Sequence, residues 1–274
     1  WRINPQTYTL ELDDLRRLLS SRTRLVAFTH ASNVIGTVNP VKAITDLVHS
    51  MGALVCVDGV AYAPHRLIDV RDWGVDFYVF SFYKTYGPHY ALLYGRREIL
   101  LDLPGNNHFF IGKEELPYKF QPGNVNFEFA WAMTGLPAYL EQVHDHHLPG
   151  NQALSVRDKL EGAFGLITGH EQVLADRLLA FLNSRNGVRI IGQPEATDTR
   201  VPTISFLADG HDSAAIVREV DRHRIGIRYG DFYARRLIDD LGLSPVNGVV
   251  RVSMVHYNTI EEVDRLVQVL DRIL

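Results

Sequence analysis

The chain has 274 residues, of which 46% are hydrophobic and 22% charged, a composition typical of a globular protein rather than a disordered one. Its formal net charge of −4 gives no general attraction to nucleic acid or to an anionic membrane, and no apolar run approaches the length that spans a bilayer. We therefore expect neither of these partners. The single cysteine, Cys56, excludes an intramolecular disulfide and favours a cytoplasmic location.

The first 100 residues alternate between predicted helices and predicted strands. Leucines three and four apart predict an amphipathic helix over 10–19, and a second helix is predicted over 41–51. Short apolar runs bounded by polar residues predict strands, which lie at 25–29, 54–58, 76–80 and 90–94. Strands that are apolar nearly throughout are typical of a mostly parallel sheet covered on both faces, so we predict a three-layer α/β domain with ligands beyond the carboxyl ends of its strands.

The remaining chain predicts a different architecture. Residues 101–126 have no sustained period and are predicted to form a long loop, followed by helices over about 127–144 and from about 151 to 183, with glycines that would interrupt the second helix. Further strands and helices that no longer alternate predict a smaller α+β domain; they lie at 188–191, 203–207, 213–223, 249–255 and from about 259. We predict a large domain over 1–150 and a small C-terminal domain over 151–274.

Two polar residues stand at the ends of predicted strands. Asp58 should emerge at the ligand-binding edge, where a carboxylate can keep a pyridine nitrogen protonated, although a helix-cap or turn aspartate is the plainer alternative. Lys84 follows the next strand, and burial there would lower its pKa and make the amine nucleophilic toward an aldehyde. A solvated loop lysine is the alternative for Lys84 considered alone.

These residues belong to a series of motifs that resembles one enzyme family. The chain is similar to the cysteine desulfurase-like proteins of the class V aminotransferase group, which are fold-type I enzymes dependent on pyridoxal 5'-phosphate (PLP). The motifs are residues 29–37, Val57-Asp58-Gly59, residues 76–81 with Lys84 and Tyr86-Gly87-Pro88, Pro122-Gly123 with Asn126, and Arg251-Val252-Ser253 with Tyr257-Asn258.

The resemblance implies a role for each matching residue. Lys84 is expected to hold PLP as a Schiff base and then to move protons at the substrate carbon. Arg251 is expected to bind the substrate carboxylate in a bidentate fork, with a surface ion pair as the alternative. The other expected contacts of matching residues are Asp58 to the pyridine nitrogen, Asn33 to the phenolic oxygen and the substrate carboxylate, and Ser81 to the phosphate. Two departures keep an expected contact: Tyr83 replaces a histidine and can donate its hydroxyl to the phosphate, and Asn124 replaces a threonine that reaches the partner subunit's phosphate in a homodimer.

Several positions depart from the family pattern. Ala61 stands where the desulfurases have a glutamine, and Tyr233 stands in the loop that presents their sulfur-accepting cysteine. Cys56 is expected to be a small apolar core residue, so we expect no persulfide to form on this chain. The family's phosphate loop and ring-stacking residue precede the region present, which leads us to expect the C-terminal part of a family enzyme.

The leading hypothesis is a PLP-dependent enzyme acting on a small amino acid as an aminotransferase, a C–S lyase or a desulfurase-like enzyme. A rival hypothesis is a catalytically silent family member or fragment that serves as a binding or dimerisation module without PLP. No metal site is expected, because neighbouring histidines at a helix end are usually solvated; they are His144, His146 and His147.

Overall fold

The computed structural model describes residues 1–121, 123–150 and 153–274, and these form two compact units. The central unit consists of Ser20–Thr29 and Val41–Ala163. The terminal unit consists of Trp1–Leu19, His30–Pro40 and Phe164–Leu274. The predicted boundary between 150 and 151 falls beside residues 151 and 152, which lie outside the described part, so the division at that point stays a prediction.

Ten helices and eight strands are assigned within the described residues. The helices are α1 Leu12–Leu18, α2 Val41–Ser50, α3 Val70–Trp73, α4 Arg97–Asp102, α5 Phe127–Ala132, α6 Gly135–His147, α7 Val156–Asn183, α8 Ser213–Arg222, α9 Arg235–Asp240 and α10 Ile260–Leu270. The strands are β1 Leu25–Thr29, β2 Leu54–Asp58, β3 Phe77–Ser81, β4 Ala91–Gly95, β5 Val188–Ile191, β6 Thr203–Ala208, β7 Arg228–Gly230 and β8 Val249–Ser253.

The central unit contains a four-stranded sheet in the order β1-β2-β3-β4. Strands β1, β2 and β3 are parallel, and β4 runs antiparallel to β3, which confirms the predicted mostly parallel sheet. Val55 and Val57 of β2 are fully buried on the face that helix α2 covers with its own apolar side, including Ile44 and Val48. This face forms the core of the unit because alternate strand residues point toward the helix.

The opposite face of this sheet is open in the central unit. Side chains of that face are exposed at both edges of the sheet, with Leu25 at 50% and Leu93 at 62%. Within the described residues, the central unit therefore supplies one of the two covering layers that the sequence predicts. Strands that are apolar nearly throughout indicate a sheet that is buried on both faces, whereas the described residues of the unit bury one face only.

The terminal unit contains an antiparallel sheet in the order β5-β6-β8-β7. Helices α7, α8 and α10 bury leucine, isoleucine and valine side chains against β6 and β8, which makes the largest core cluster of the unit. Helix α10 begins with a capping box, in which Thr259 and Glu262 each bond the backbone of the other. This arrangement confirms the predicted α+β pattern of the C-terminal region.

Three local predictions differ from the structure. Helix α7 is continuous through its glycines. Packing compensates for the glycine at 162, because a Cβ there would lie 2.5 Å from the His144 ring, so only glycine allows the ring to pack against the helix. The predicted helix over 127–144 is two helices, separated at Met133 and Thr134. The elements α3, α4, β7 and α9 were missed because three to six residues are too few to establish a period.

Candidate active site

Asp58 lies at the carboxyl end of β2 and is exposed to solvent. Its Oδ1 accepts a hydrogen bond from the Val60 backbone nitrogen at 2.9 Å, so it makes the turn contact that was its plainer alternative. The turn fixes the carboxylate at the edge of the sheet while leaving it accessible. In this one conformation Asp58 can therefore both make its turn contact and face a ligand.

A buried aromatic cluster supports the end of β2. A Cβ on Gly59 would lie 2.2 Å from the Tyr78 ring, so glycine is required for the ring to pack there. The centre of the Tyr78 ring lies 5.6 Å from the centre of the Trp73 ring, and the Trp73 centre lies 5.8 Å from the centre of the Tyr62 ring. Burial, with smaller contributions from Tyr62 and Asp58, raises the pKa of Tyr78, which therefore stays neutral and serves as a rigid support.

Ser81 and Asp58 project from the same face of the sheet. Asp58 is in register with Val79, and Ser81 is two residues farther along the same strand. Sheet spacings place the two Cα atoms about 8 Å apart. Thr29, in register with Asp58 on β1, donates from Oγ1 to the Asp58 carbonyl at 3.4 Å. The carboxyl ends of three neighbouring strands thus carry a carboxylate and two hydroxyls on the open face.

Lys84 ends the 3-10 turn Phe82–Lys84 that directly follows β3. The turn is closed by hydrogen bonds from the nitrogens of Thr85 and Gly87 to the Phe82 carbonyl, at 2.7 and 2.9 Å. The Lys84 side chain is exposed, and its Nζ lies 5.9 Å from the centre of the Tyr83 ring. The Tyr83 ring is half exposed, and its centre lies 5.1 Å from the centre of the His89 ring. The expected burial of Lys84 is wrong for the central unit, because the turn lies at the uncovered face.

Arg251 and Asn33 meet in the terminal unit although 218 residues separate them. The Arg251 Nη1 donates to the Asn33 carbonyl at 2.8 Å, and the Asn33 side-chain amide donates to the Phe232 carbonyl at 2.9 Å. The Arg251 guanidinium carbon lies 3.7 Å from the centre of the Phe232 ring. Burial lowers the pKa of Arg251, although an arginine keeps its charge in proteins.

The backbone around Asn33 is held by glycine and serine. Ser32 Oγ accepts hydrogen bonds from the nitrogens of Val34 and Ile35 at 3.3 and 3.2 Å. Gly36 has a φ of +73°, and a Cβ there would lie 2.3 Å from the Thr203 carbonyl oxygen. The Asn33 carbonyl is consequently presented to Arg251 by a rigid segment.

Three positions that bear on sulfur chemistry and on dimerisation are placed as follows. Cys56 is half-buried on the open face, so the expectation that it lies in the core is wrong; burial and the nearby Asp58 charge raise its thiol pKa. Tyr233 is completely exposed, at 105%. Asn124 is exposed, and Pro122, two residues earlier, lies outside the described residues.

The structure thus collects the predicted residues in two groups. The central unit carries Asp58 and Ser81 on one sheet face and Tyr83 and Lys84 in the turn after β3, and the terminal unit brings Asn33 and Arg251 into contact. The contact of Phe232 with Arg251 was missed, since no local pattern signals a stacking partner 19 residues away in the chain.

Features typical of other functions are not found in the described residues. No group of three or more histidine, cysteine, aspartate or glutamate side chains there is placed to hold a metal ion. Of the three neighbouring histidines, His144 is buried and its Nδ1 lies 3.0 Å from Asp145 Oδ1. The expectation that these histidines are solvated is therefore wrong for His144. No helix in the same ranges is long and apolar enough to cross a membrane.

Comparison with curated proteins finds relatives along almost the whole chain. The aminotransferase-like protein FGM3 of Gibberella zeae is 43% identical over 97% of this chain and 63% of its own length. The cysteine desulfurase-like protein ustD of Aspergillus flavus is 36% identical over 99% of this chain and 59% of its own. The chain therefore spans about three-fifths of these relatives. It spans only 17% of the nonribosomal peptide synthetase-like enzyme fsqF of Aspergillus fumigatus, to which it is 41% identical.

Solved structures and a family model agree with these relatives. A cysteine desulfurase from Thermococcus onnurineus matches with a TM-score of 0.78 and 25% identity, over 97% of this chain and 63% of that one. The cysteine desulfurase CsdA from Escherichia coli matches with a TM-score of 0.76 and 27% identity, over 96% and 62% of the two chains. The family model for aminotransferase class-V matches residues 3–145 and 158–266. The chain therefore belongs to the aminotransferase class-V family, a family of PLP-dependent enzymes that includes the cysteine desulfurases.

Proposed function

We propose that this chain carries the lysine, ring-nitrogen partner and substrate-carboxylate site of a PLP-dependent enzyme that acts on a small amino acid. The observation that carries the proposal is the placement of Asp58 and Ser81 on one open sheet face, with Lys84 in the turn that directly follows Ser81. Family membership supports the same cofactor.

The residues of the central unit fit PLP by their chemistry. The accessible Asp58 carboxylate is an acceptor for a protonated ring nitrogen, and the Ser81 hydroxyl is a donor for a phosphate oxygen. Lys84, three residues after Ser81, supplies a primary amine. When bound, PLP supplies an electron sink that makes bonds at the substrate α-carbon easier to break.

The chain's own residues would then bind the substrate and transfer protons. Arg251 would bind the α-carboxylate, which is the group that all amino-acid substrates share. Lys84 would move a proton at the α-carbon, and Asp58 would keep the ring nitrogen protonated. Aminotransfer, C–S lysis and a desulfurase-like reaction share these tasks. A protein persulfide is disfavoured because Tyr233 stands in the loop where the desulfurases present their sulfur-accepting cysteine.

Visible absorbance of the purified chain with added PLP tests the proposal. A band from PLP bound at Lys84 is expected in the unsubstituted chain and in Lys113→Ala, which removes another exposed lysine. The band is expected to be lost in Lys84→Ala. Equal bands in all three proteins would contradict the assignment of Lys84.

The exposure of Lys84 and the open sheet face favour a second candidate, a family member or fragment that acts as a binding or dimerisation module without PLP. The same spectra separate the two candidates. A chain that gives no band with PLP, and no turnover of amino acids, belongs to the second.

We also propose a homodimer and a cytoplasmic location. The dimer is supported by large aromatic side chains exposed in the segment that surrounds Asn124, which include Phe109 at 99% and Trp131 at 77%. Exposed apolar patches of this kind are typical of interfaces. The cytoplasmic location rests on the single cysteine.

A further inference from the structure

The loop between β7 and α9 contains two consecutive residues in the left-handed region. Phe232 has a φ of +52° and Tyr233 a φ of +63°. Residues with a Cβ adopt this region at a cost, and such positions persist where surrounding contacts determine them, often at functional sites. An aromatic pair in this conformation therefore calls for contacts that hold it.

Those contacts form a closed set of three residues. The Asn33 amide donates to the Phe232 carbonyl at 2.9 Å, the Phe232 ring covers the Arg251 guanidinium at 3.7 Å, and Arg251 Nη1 donates to the Asn33 carbonyl at 2.8 Å. Asp231 Oδ1 accepts from the Tyr233 nitrogen at 3.0 Å and closes the turn. Each member of the set thus restrains the other two.

This set determines which edge of the guanidinium a ligand can use. Nη1 is bonded to the Asn33 carbonyl, and one face is covered by the Phe232 ring. Arg251 Nε is buried and has no hydrogen-bond partner among the described residues. A buried donor without a partner is costly, and the edge formed by Nε and Nη2 has the geometry that binds both oxygens of a carboxylate.

We propose that Phe232 is a positioning residue that fixes the plane of Arg251, so that a substrate carboxylate binds side-on at Nε and Nη2. This inference rests on the proposed role of Arg251 and adds the residue that orients it. Without the ring, rotation of the guanidinium would move Nε away from the position in which it meets a carboxylate oxygen. The occupant is an α-carboxylate of a small amino acid, bound in the plane of the fork.

Nitrogen-15 NMR of the arginine Nε–Hε groups of the full chain tests this inference, with L-alanine as the probe. The Arg251 signal is identified by its absence in Arg251→Lys. It is expected to shift on addition of L-alanine and not of L-alaninol, which lacks the carboxylate. Phe232→Leu is expected to weaken L-alanine binding about 2- to 30-fold, the range for loss of a cation–π contact, while Phe232→Tyr keeps the ring and the affinity.

Three results would overturn the inference: no shift with L-alanine in the unsubstituted chain, an equal shift with L-alaninol, or unchanged affinity in Phe232→Leu. The titration uses no PLP, and the cofactor proposal is judged separately by the Lys84 absorbance band. A missing band with a Phe232-dependent titration would reject the cofactor proposal alone. A Lys84-dependent band with a titration that is independent of Phe232 would reject this inference alone.

Discussion

At the scale of residues, the open sheet face of the central unit sets the solvent exposure of the side chains that it carries. Asp58 keeps its carboxylate accessible because it ends a strand, and the buried Tyr78 ring beneath Gly59 holds that strand end in place. Cys56 lies on the same face as Asp58, two residues earlier in β2. Its half-burial and the Asp58 charge both disfavour the thiolate, so its reactivity reports directly on this environment.

Cys56 is expected to react with iodoacetamide more slowly than a free cysteine at pH 8. Its raised pKa means that the thiolate forms only at a pH above the ordinary range, so the rate should rise at higher pH than for free cysteine. The pH profile of alkylation, followed by mass spectrometry, measures this.

Asp58→Asn is the matched control for that profile. It removes the smaller cause of the shift and leaves burial, which is the larger, so the profile should move only part of the way toward free cysteine. A profile identical to that of free cysteine in the unsubstituted chain would contradict the assigned environment.

At the scale of elements, two glycines of similar backbone conformation differ in how closely another segment approaches them. Gly36 and Gly210 have nearly the same φ, +73° and +74°. A Cβ on Gly36 would meet the Thr203 carbonyl at 2.3 Å, whereas a Cβ on Gly210 would meet nothing within 4 Å. Only the first therefore locks the segment that presents Asn33.

Gly36→Ala should lower the free energy of unfolding by at least about 2 kcal/mol, since strain and a clash with backbone combine. Gly210→Ala should lower it by about 1 kcal/mol, from the left-handed backbone alone. Urea unfolding measures both, and equal losses would show that the clash contributes nothing.

Helix α7 offers a second matched pair. A Cβ on Gly165 would meet nothing within 4 Å, so Gly165→Ala should raise the free energy of unfolding by about 0.5 to 1 kcal/mol. Gly162→Ala should lower it, because the added Cβ would lie 2.5 Å from the His144 ring. Thermal unfolding of the two variants gives both signs, and stabilisation by both would argue against the close packing of His144.

At the scale of the whole molecule, the exposed aromatic side chains support the proposed homodimer. A second copy covering Phe109 and Trp131 would bury surface that a monomer leaves in water. Large aromatic side chains contribute strongly to such interfaces.

Trp131→Glu is expected to shift the chain from dimer to monomer, because a carboxylate would have to be buried without a partner. Light scattering coupled to size exclusion measures the mass. Arg272→Glu changes charge at another exposed position and should leave the dimer intact. A monomeric unsubstituted chain would contradict the dimer, and a dimer unaffected by Trp131→Glu would place its interface elsewhere.

The sequence by itself determined the α/β class, the bounds of β1 and β2, the family and the residues expected to meet PLP. These follow from local periodicity and from ordered motifs, both of which are written in neighbouring residues. Tertiary structure alone decided that Lys84 is exposed, that Cys56 is half-buried and that Phe232 covers Arg251. Burial and stacking depend on which distant segments pack together, and no local pattern encodes the cover that a sheet face receives.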